Sequence, residues 1–225
     1  MIGTPRLAVF DCDGTLVDSQ ANICRAARLA FDANGLAVPP DPAIRGIVGL
    51  SLVEAMRVLA PTVDDAAHRR LADDYKGAFQ QLRAANTLDP EPLFDGIAET
   101  IDALDRTGWR LGVATGKSDR GLSLILAHHR LSDRFVTLQT ADRHPSKPDP
   151  AMLHAALAQA GVDPHRSVMI GDTSFDMAMG RAAGSRTVGV AWGYHSEAEM
   201  IGAGAEVVTA DAHALPGLLN AMVPA

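Results

Sequence analysis

Two aspartates, Asp11 and Asp13, stand where the apolar run Leu7 to Phe10 ends. Side chains alternate along an extended chain, so both carboxylates are expected on one side and Cys12 on the other. Like charges this close repel and raise one pKa unless a cation intervenes. The pair suits a division of labour, with one carboxylate as nucleophile or metal ligand and the other as proton donor. Gly14 then lets the backbone turn close beside them. A second acidic pair, Asp172 and Asp176, follows the run Val168 to Ile170. If a helix begins near Ser174, both face the strand ends. Oxygen-only groups of this kind suit Mg2+. Taken alone, D-x-D-G also reads as a turn and Asp172 as a helix cap.

Two further blocks bear on that choice. The run Leu111 to Ala114 ends in Thr115, Gly116, Lys117 and Ser118, where a hydroxyl and a free amide can donate to an anion. The stretch resembles a nucleotide-binding P-loop but fails its spacing. The first glycine would have to be residue 111, which is Leu111, and Gly112 lies inside the expected strand. Downstream, Ser146-Lys147-Pro148-Asp149-Pro150 places a lysine between two stiffening prolines and a helix start. Such a lysine can offset negative charge at the site, although by itself it reads as an exposed loop residue. The eight histidines are scattered, without zinc-ligand spacing.

These residues need elements to hold them. Short apolar runs at Leu7 to Phe10, Leu111 to Ala114, Phe135 to Leu138, Val168 to Ile170, Thr187 to Val190 and Glu206 to Val208 have the length of buried parallel strands. Between them lie helical patterns. Ile97, Ile101 and Leu104 share a face that stops at Gly108, and Met152, Leu153, Ala156 and Leu157 share one that stops at Gly161. The alternation predicts an α/β fold with a doubly wound parallel sheet, open at the strand ends where the aspartates sit. Residues 18–90 interrupt it. Helices are expected at 19–34, 51–60 and 63–85, with Val38 to Pro42 as a loop and a capping box from Ser51 and Glu54. Leu52, Ala55, Met56 and Leu59 form one stripe, and Val63, Ala67, Leu71, Tyr75 and Leu82 another, both read as core packing. Leu88 to Pro92 reads as a return linker. The expected division is a catalytic core of residues 1–17 and 91–225 around an all-helical cap of residues 18–90.

Composition narrows the classes. The chain has 225 residues, 47% hydrophobic and 21% charged, with a net charge of −7. That balance argues against nucleic-acid binding, which needs clustered cations. No apolar run reaches the roughly 20 residues of a membrane span. The N-terminal stretch MIGTPRLAVFDCDG does not read as a signal peptide. Cys12 and Cys24 fit reduced thiols, so a cytoplasmic location is expected.

The four blocks DCDGT, ATGKS, SKPDP and GDTSFD, in this order and spacing, resemble the motifs of the haloacid dehalogenase-like hydrolase superfamily. The helical interruption resembles that family's mobile cap, so the likeness spans the chain. The stretch Gly189-Val190-Ala191-Trp192-Gly193-Tyr194 adds a likeness to its phosphoglycolate phosphatase-like members. The resemblance implies a phosphatase acting on phosphoglycolate or a similar small phosphorylated metabolite, with Mg2+ as cofactor, as a monomer or homodimer. It implies that Asp11 forms a phosphoaspartyl intermediate and that Asp13 protonates the leaving oxygen and then activates water. Thr115, Gly116 and Lys147 would hold the phosphoryl group. Asp11, the Asp13 carbonyl and Asp172 would bind the metal, with Asp176 a ligand or the partner of one. Lys117 either touches phosphate or caps a helix, and Asp18 either orients the linker or caps residues 19–34. Arg45 either meets an anionic substrate tail or is an isolated surface arginine. The acid at Asp13 favours phosphate esters over halides, whose departure needs no proton. The rivals are a phosphotransferase or sugar phosphomutase on the same scaffold and, remotely, a signalling receiver domain. A receiver needs its acidic pair and its phospho-acceptor on different strands, and it has no place for a helical insertion.

Overall fold

The computed structural model describes residues 4–225, so the first three residues of the N-terminal stretch read above lie outside the described residues. All six expected strands are present: β1 Arg6–Phe10, β2 Trp109–Thr115, β3 Thr137–Thr140, β4 Ser167–Gly171, β5 Arg186–Val190 and β6 Val207–Thr209. They form one parallel sheet in the order β3-β2-β1-β4-β5-β6. The chain runs outward from β1 to β3 on one side and from β4 to β6 on the other. The switch in direction therefore lies between β1 and β4, where open α/β sheets bind ligands. Asp11 and Asp172 follow those two strands directly.

Alternation along β1 splits the core into two layers. Ala8 and Phe10 pack with Leu111, Val113, Ile97, Ile101, Leu104, Leu122 and Leu215. Leu7 and Val9 pack on the other face with Met152, Leu153, Ala156, Leu157 and Met169. The helices supplying these contacts are α5 Ile97–Arg106, α6 Asp119–His128, α7 Ala151–Ala160, α8 Ser174–Ala182 and α10 Leu215–Met222, while α9 Glu197–Ala203 lies beside β5 and β6. Among the described residues, no helix is long and apolar enough to cross a membrane.

Residues 18–90 are helical as expected, with α1 Gln20–Ala33, α2 Asp41–Arg45, α3 Leu52–Leu59 and α4 Asp65–Ala84. They bury apolar clusters of their own, one around Ile23, Ile44 and Val48 and one around Phe31, Met56 and Leu71. The way out and the way back run side by side. The Asp18 amide donates to the Pro92 carbonyl (2.9 Å), the Phe94 amide to the Leu16 carbonyl (3.0 Å), and Val17 bridges Leu93 antiparallel. Asn22 binds both the amide and the carbonyl of Asp89, which fixes the first turn of α1 to the return segment.

Four local expectations are corrected. Asp41 and Pro42 belong to α2 rather than a loop, because Pro42 stands in the first turn, where its missing N–H costs nothing. The helix expected from 63 starts at Asp65, because the Asp64 side chain accepts the Ala67 amide (2.8 Å) and ends the extended segment before it. The Ser51–Glu54 capping box does not form. Glu54 pairs instead with Arg57, a charge-assisted contact stronger than a neutral cap. The strand read at Phe135 to Leu138 is displaced to Thr137–Thr140, and Phe135 is buried just ahead of it.

Candidate active site

Each acidic pair is set by its strand end. Beyond β1, Gly14 adopts a φ of +83°, and a Cβ there would fall 2.2 Å from Asp172 Oδ2. Only glycine allows this loop to lie against the second pair. Beyond β4, Thr173 caps α8 in a reciprocal box with Asp176, so the cap is Thr173 and not Asp172. That box turns Asp176 inward, where its Oδ2 accepts from the Thr173 amide (3.1 Å) and hydroxyl (2.7 Å).

The result is a buried group of three carboxylates, Asp11, Asp172 and Asp176, each offering an oxygen within 4.8 Å of the others. The Lys147 ammonium, also fully buried, lies 3.0 Å from Asp11 and 2.7 Å from Asp176. Asp172 accepts from the Thr15 hydroxyl (2.8 Å) and the Tyr194 amide (2.9 Å). Asp11 Oδ1 accepts the Cys12 amide at 2.6 Å, whereas Asp11 Oδ2 is buried with no hydrogen-bond partner among the described residues.

The electrostatics follow from burial. Desolvation pushes the Asp11 carboxyl up to about 7, opposed by Lys147 and assisted by Asp176 and Asp13. Desolvation, with Asp176 and Asp11 beside it, also drives Asp172 well above the usual carboxylate range. Burial works against the charged form of Lys147, but Asp11 and Asp176 outweigh it and hold the ammonium above the ordinary lysine value. Three carboxylates against one ammonium leave excess negative charge, all the donors are oxygen, and one buried oxygen has no partner. A hard divalent cation of the Mg2+ type fits these residues.

The Asp13 carboxylate lies outside that cluster, 2.9 Å from the Lys117 ammonium and bonded to the Ser19 hydroxyl. Asp11 and Asp13 nevertheless open onto one cavity, together with Thr115, Gly116 and Lys117. Thr115 is buried and its hydroxyl accepts the Lys117 amide at 3.2 Å. All nine candidates (Asp11, Asp13, Gly14, Thr115, Gly116, Lys117, Lys147, Asp172 and Asp176) therefore gather around the ends of β1, β2 and β4. Lys117 does not cap α6, which Ser118 does, and its ammonium instead pairs with Asp13 in the cavity lining. Asp18 accepts the Gln20 amide at 3.2 Å while its own amide joins the return linker. Arg45 bonds Gln20 and is not among the cavity residues.

Sequence reasoning missed Thr15, Ser19, Thr173 and Tyr194. Their side chains or amides hold the carboxylates, and the local signal was a hydroxyl next to an acidic motif. The insertion also reaches the site. A Cβ on Gly116 would stand 2.5 Å from the Leu50 carbonyl oxygen and 2.6 Å from that of Gly49. The Ser51 amide donates to the Ser146 hydroxyl (2.8 Å), and His195 Nε2 bonds the Gly46 carbonyl (3.2 Å).

Comparison with known proteins agrees with this architecture. The probable phosphatase IndB of Dickeya dadantii is 30% identical over 220 residues, covering 96% of this chain and 94% of that one. The tyrosine-protein kinase PtkA of Mycobacterium tuberculosis is 33% identical over 192 residues, covering 85% and 64%. A phosphoglycolate phosphatase of Rhodospirillum rubrum is 32% identical over 202 residues, covering 86% and 82%. The crystal structure of a predicted phosphatase from Clostridium acetobutylicum superposes with a TM-score of 0.86 over 96% of this chain and 99% of that one, at 22% identity, and so shares the fold. The haloacid dehalogenase-like hydrolase family model matches residues 8–190, from the strand that presents Asp11 to the end of β5, and to that family the chain belongs.

Proposed function

We propose that this protein is a Mg2+-dependent phosphomonoesterase that works through a covalent intermediate on Asp11. The observation that carries the reading is the buried Asp11 carboxylate, with one oxygen unpartnered, shared between a lysine and two further carboxylates at the mouth of a cavity. Asp11 attacks phosphorus and the bond to the leaving oxygen breaks. Asp13, on the same cavity, gives its proton to that oxygen. Water then attacks the phosphoaspartyl group, Asp13 takes the water proton, and inorganic phosphate leaves with Asp11 restored. The Thr115 hydroxyl, the Gly116 amide and the Lys147 ammonium hold the non-reacting phosphoryl oxygens, and Lys117 orients Asp13. Asp11, Asp172, Asp176 and the Asp13 carbonyl would hold Mg2+, which would supply positive charge to offset the phosphate beside the nucleophile.

Residues 18–90 act as a cap over a core of 1–17 and 91–225 and meet the leaving group. The relatives named as phosphatases support a small phosphorylated metabolite as substrate. One observation favours a second reading, transfer to an acceptor other than water, namely the relative named as a kinase. The deciding experiment measures phosphate release from a panel of monoesters with no acceptor added, in EDTA and in Mg2+, for the protein and Asp11→Asn. Release that needs Mg2+ and is lost in the variant is the expected result. Release that appears only with an added acceptor favours transfer, and release in thorough chelation overturns the metal requirement.

A further inference from the structure

The cavity that begins at Asp11 and Asp13 does not stop at the catalytic loops. It has a volume of about 300 Å3 and runs on into the helical insertion. Its far wall is made by Ile23, Ile44, Leu52, Met56, Leu59 and Phe79. The stripe Leu52, Ala55, Met56 and Leu59 on α3 therefore faces open space as well as core. Tyr75 also lines the wall, and burial raises its phenol above the ordinary tyrosine value, so the ring presents a neutral surface.

Charge within the cavity is unfavourable to an anionic leaving group. Lys117 is committed to Asp13. Beside it stands Glu91, with Oε1 buried and unpartnered among the described residues. Burial pushes the Glu91 carboxyl up, opposed by Lys117, by a hydrogen bond with Asn22 and by Arg83, and assisted by Asp13. Of the other cations of the lining, Lys76 and Arg120 are exposed and Arg83 is half-buried. A carboxylate entering next to Asp13 would lose its water, meet apolar carbon and face Glu91. An apolar group entering the same space would displace water from apolar walls, and the volume suits a group larger than two carbons.

We infer that the leaving group is an uncharged alcohol with an apolar alkyl or aryl body, seated between α1, α3 and α4, and not a short carboxylate such as glycolate. This rests on the phosphomonoesterase reading and names the substrate class for that site. Leu52 and Met56 supply the apolar contact, and Glu91 excludes anions.

The test compares kcat/KM for acetyl phosphate, ethyl phosphate, n-hexyl phosphate and phosphoglycolate with the full chain in Mg2+. Hexyl phosphate is expected to exceed both ethyl phosphate and phosphoglycolate by at least about tenfold, since each methylene in an apolar pocket adds discrimination. Glu91→Gln, which keeps shape, should narrow the gap to phosphoglycolate, and Leu52→Arg should narrow it further. Acetyl phosphate, whose acetate departs without needing a proton, reports the phosphoryl chemistry with an activated leaving group about the size of ethanol. If any of the four is hydrolysed while phosphoglycolate equals or exceeds hexyl phosphate, the inference is overturned and the phosphatase reading stands. If none of the four is hydrolysed, the phosphatase reading falls and the inference with it. An unchanged ratio in Glu91→Gln removes Glu91 from the exclusion of anions.

Discussion

Lys117 and Asp13 form an ion pair of 2.9 Å in the lining of the cavity, separate from the pair that Lys147 makes with Asp11. In the proposed mechanism each catalytic carboxylate thus has its own lysine, one for the side of the phosphoryl group and one for the side of the leaving oxygen. Asp13→Asn should slow hydrolysis of an alkyl phosphate by about 10²–10⁴-fold. With p-nitrophenyl phosphate the first step needs no proton, while the second still needs a base. Stopped-flow absorbance should show a burst of about one p-nitrophenolate per site followed by slow turnover. A slow phase with no burst would place Asp13 outside the second step.

The buried carboxylates predict how stability depends on pH. Asp11 titrates near 7 when folded and near 3.8 when free. Between those values folded, metal-free Asp11 holds more of its proton than in the unfolded chain, so its contribution to stability falls as pH rises through the window and levels off above it. Mg2+ competes with that proton, so its stabilising effect should grow across the same window. Thermal melts in EDTA and in excess Mg2+, taken from about pH 5 to about pH 8, should diverge with pH. A constant difference in Tm would remove Asp11 from the metal ligands.

Gly116 faces the carbonyls of Gly49 and Leu50, which are backbone and cannot swing aside. Gly116→Ala should push residues 46–51 off the strand ends. A displacement of about 1 Å at such a site costs on the order of a hundredfold in kcat/KM. Limited proteolysis should show faster cutting within 46–51 while the Tm of the core changes little. Normal kinetics in this variant would mean that the contact plays no part in catalysis.

Replacing residues 19–89 with a short linker tests the cap directly. The core layers on both faces of the sheet use no residue from this segment. The shortened chain should retain slow hydrolysis of p-nitrophenyl phosphate and lose discrimination among alkyl phosphates. The quantity to compare is the ratio of kcat/KM for n-hexyl and ethyl phosphate. An unchanged ratio would assign specificity to the core.

The sheet was legible because five of its six strands are short runs of apolar or β-branched residues. The exception is instructive. β3 lies at the edge and carries polar Thr137, Gln139 and Thr140, which bond Gln159 and Asp119, so hydropathy pointed two residues too early. The aspartates were legible because Asp11 and Asp172 follow their strands directly and Asp13 and Asp176 lie two and four residues further on, where local geometry fixes where they point. The Tyr194 amide on Asp172 was not legible, since that bond depends on how separate segments dock, whereas Ser19 on Asp13, six residues away, depends only on the turn between them. Helical periodicity likewise identified Leu52, Ala55, Met56 and Leu59 as one face. It carries no information on whether that face meets protein or empty space.

The antiparallel pairing of Leu16 to Asp18 with Pro92 to Phe94 gives the helical segment a single doorway. The chain leaves the sheet and re-enters it at one spot, so the strand order is the same whether that excursion is long, short or absent. On the proposed two-part reading, reaction chemistry and molecular recognition are written in separable stretches of sequence. Residues 18–90 could then be rewritten for a new ligand without touching the register of the sheet, provided a graft reproduced this seam and the contacts of residues 46–51 with Gly116, Ser146 and His195.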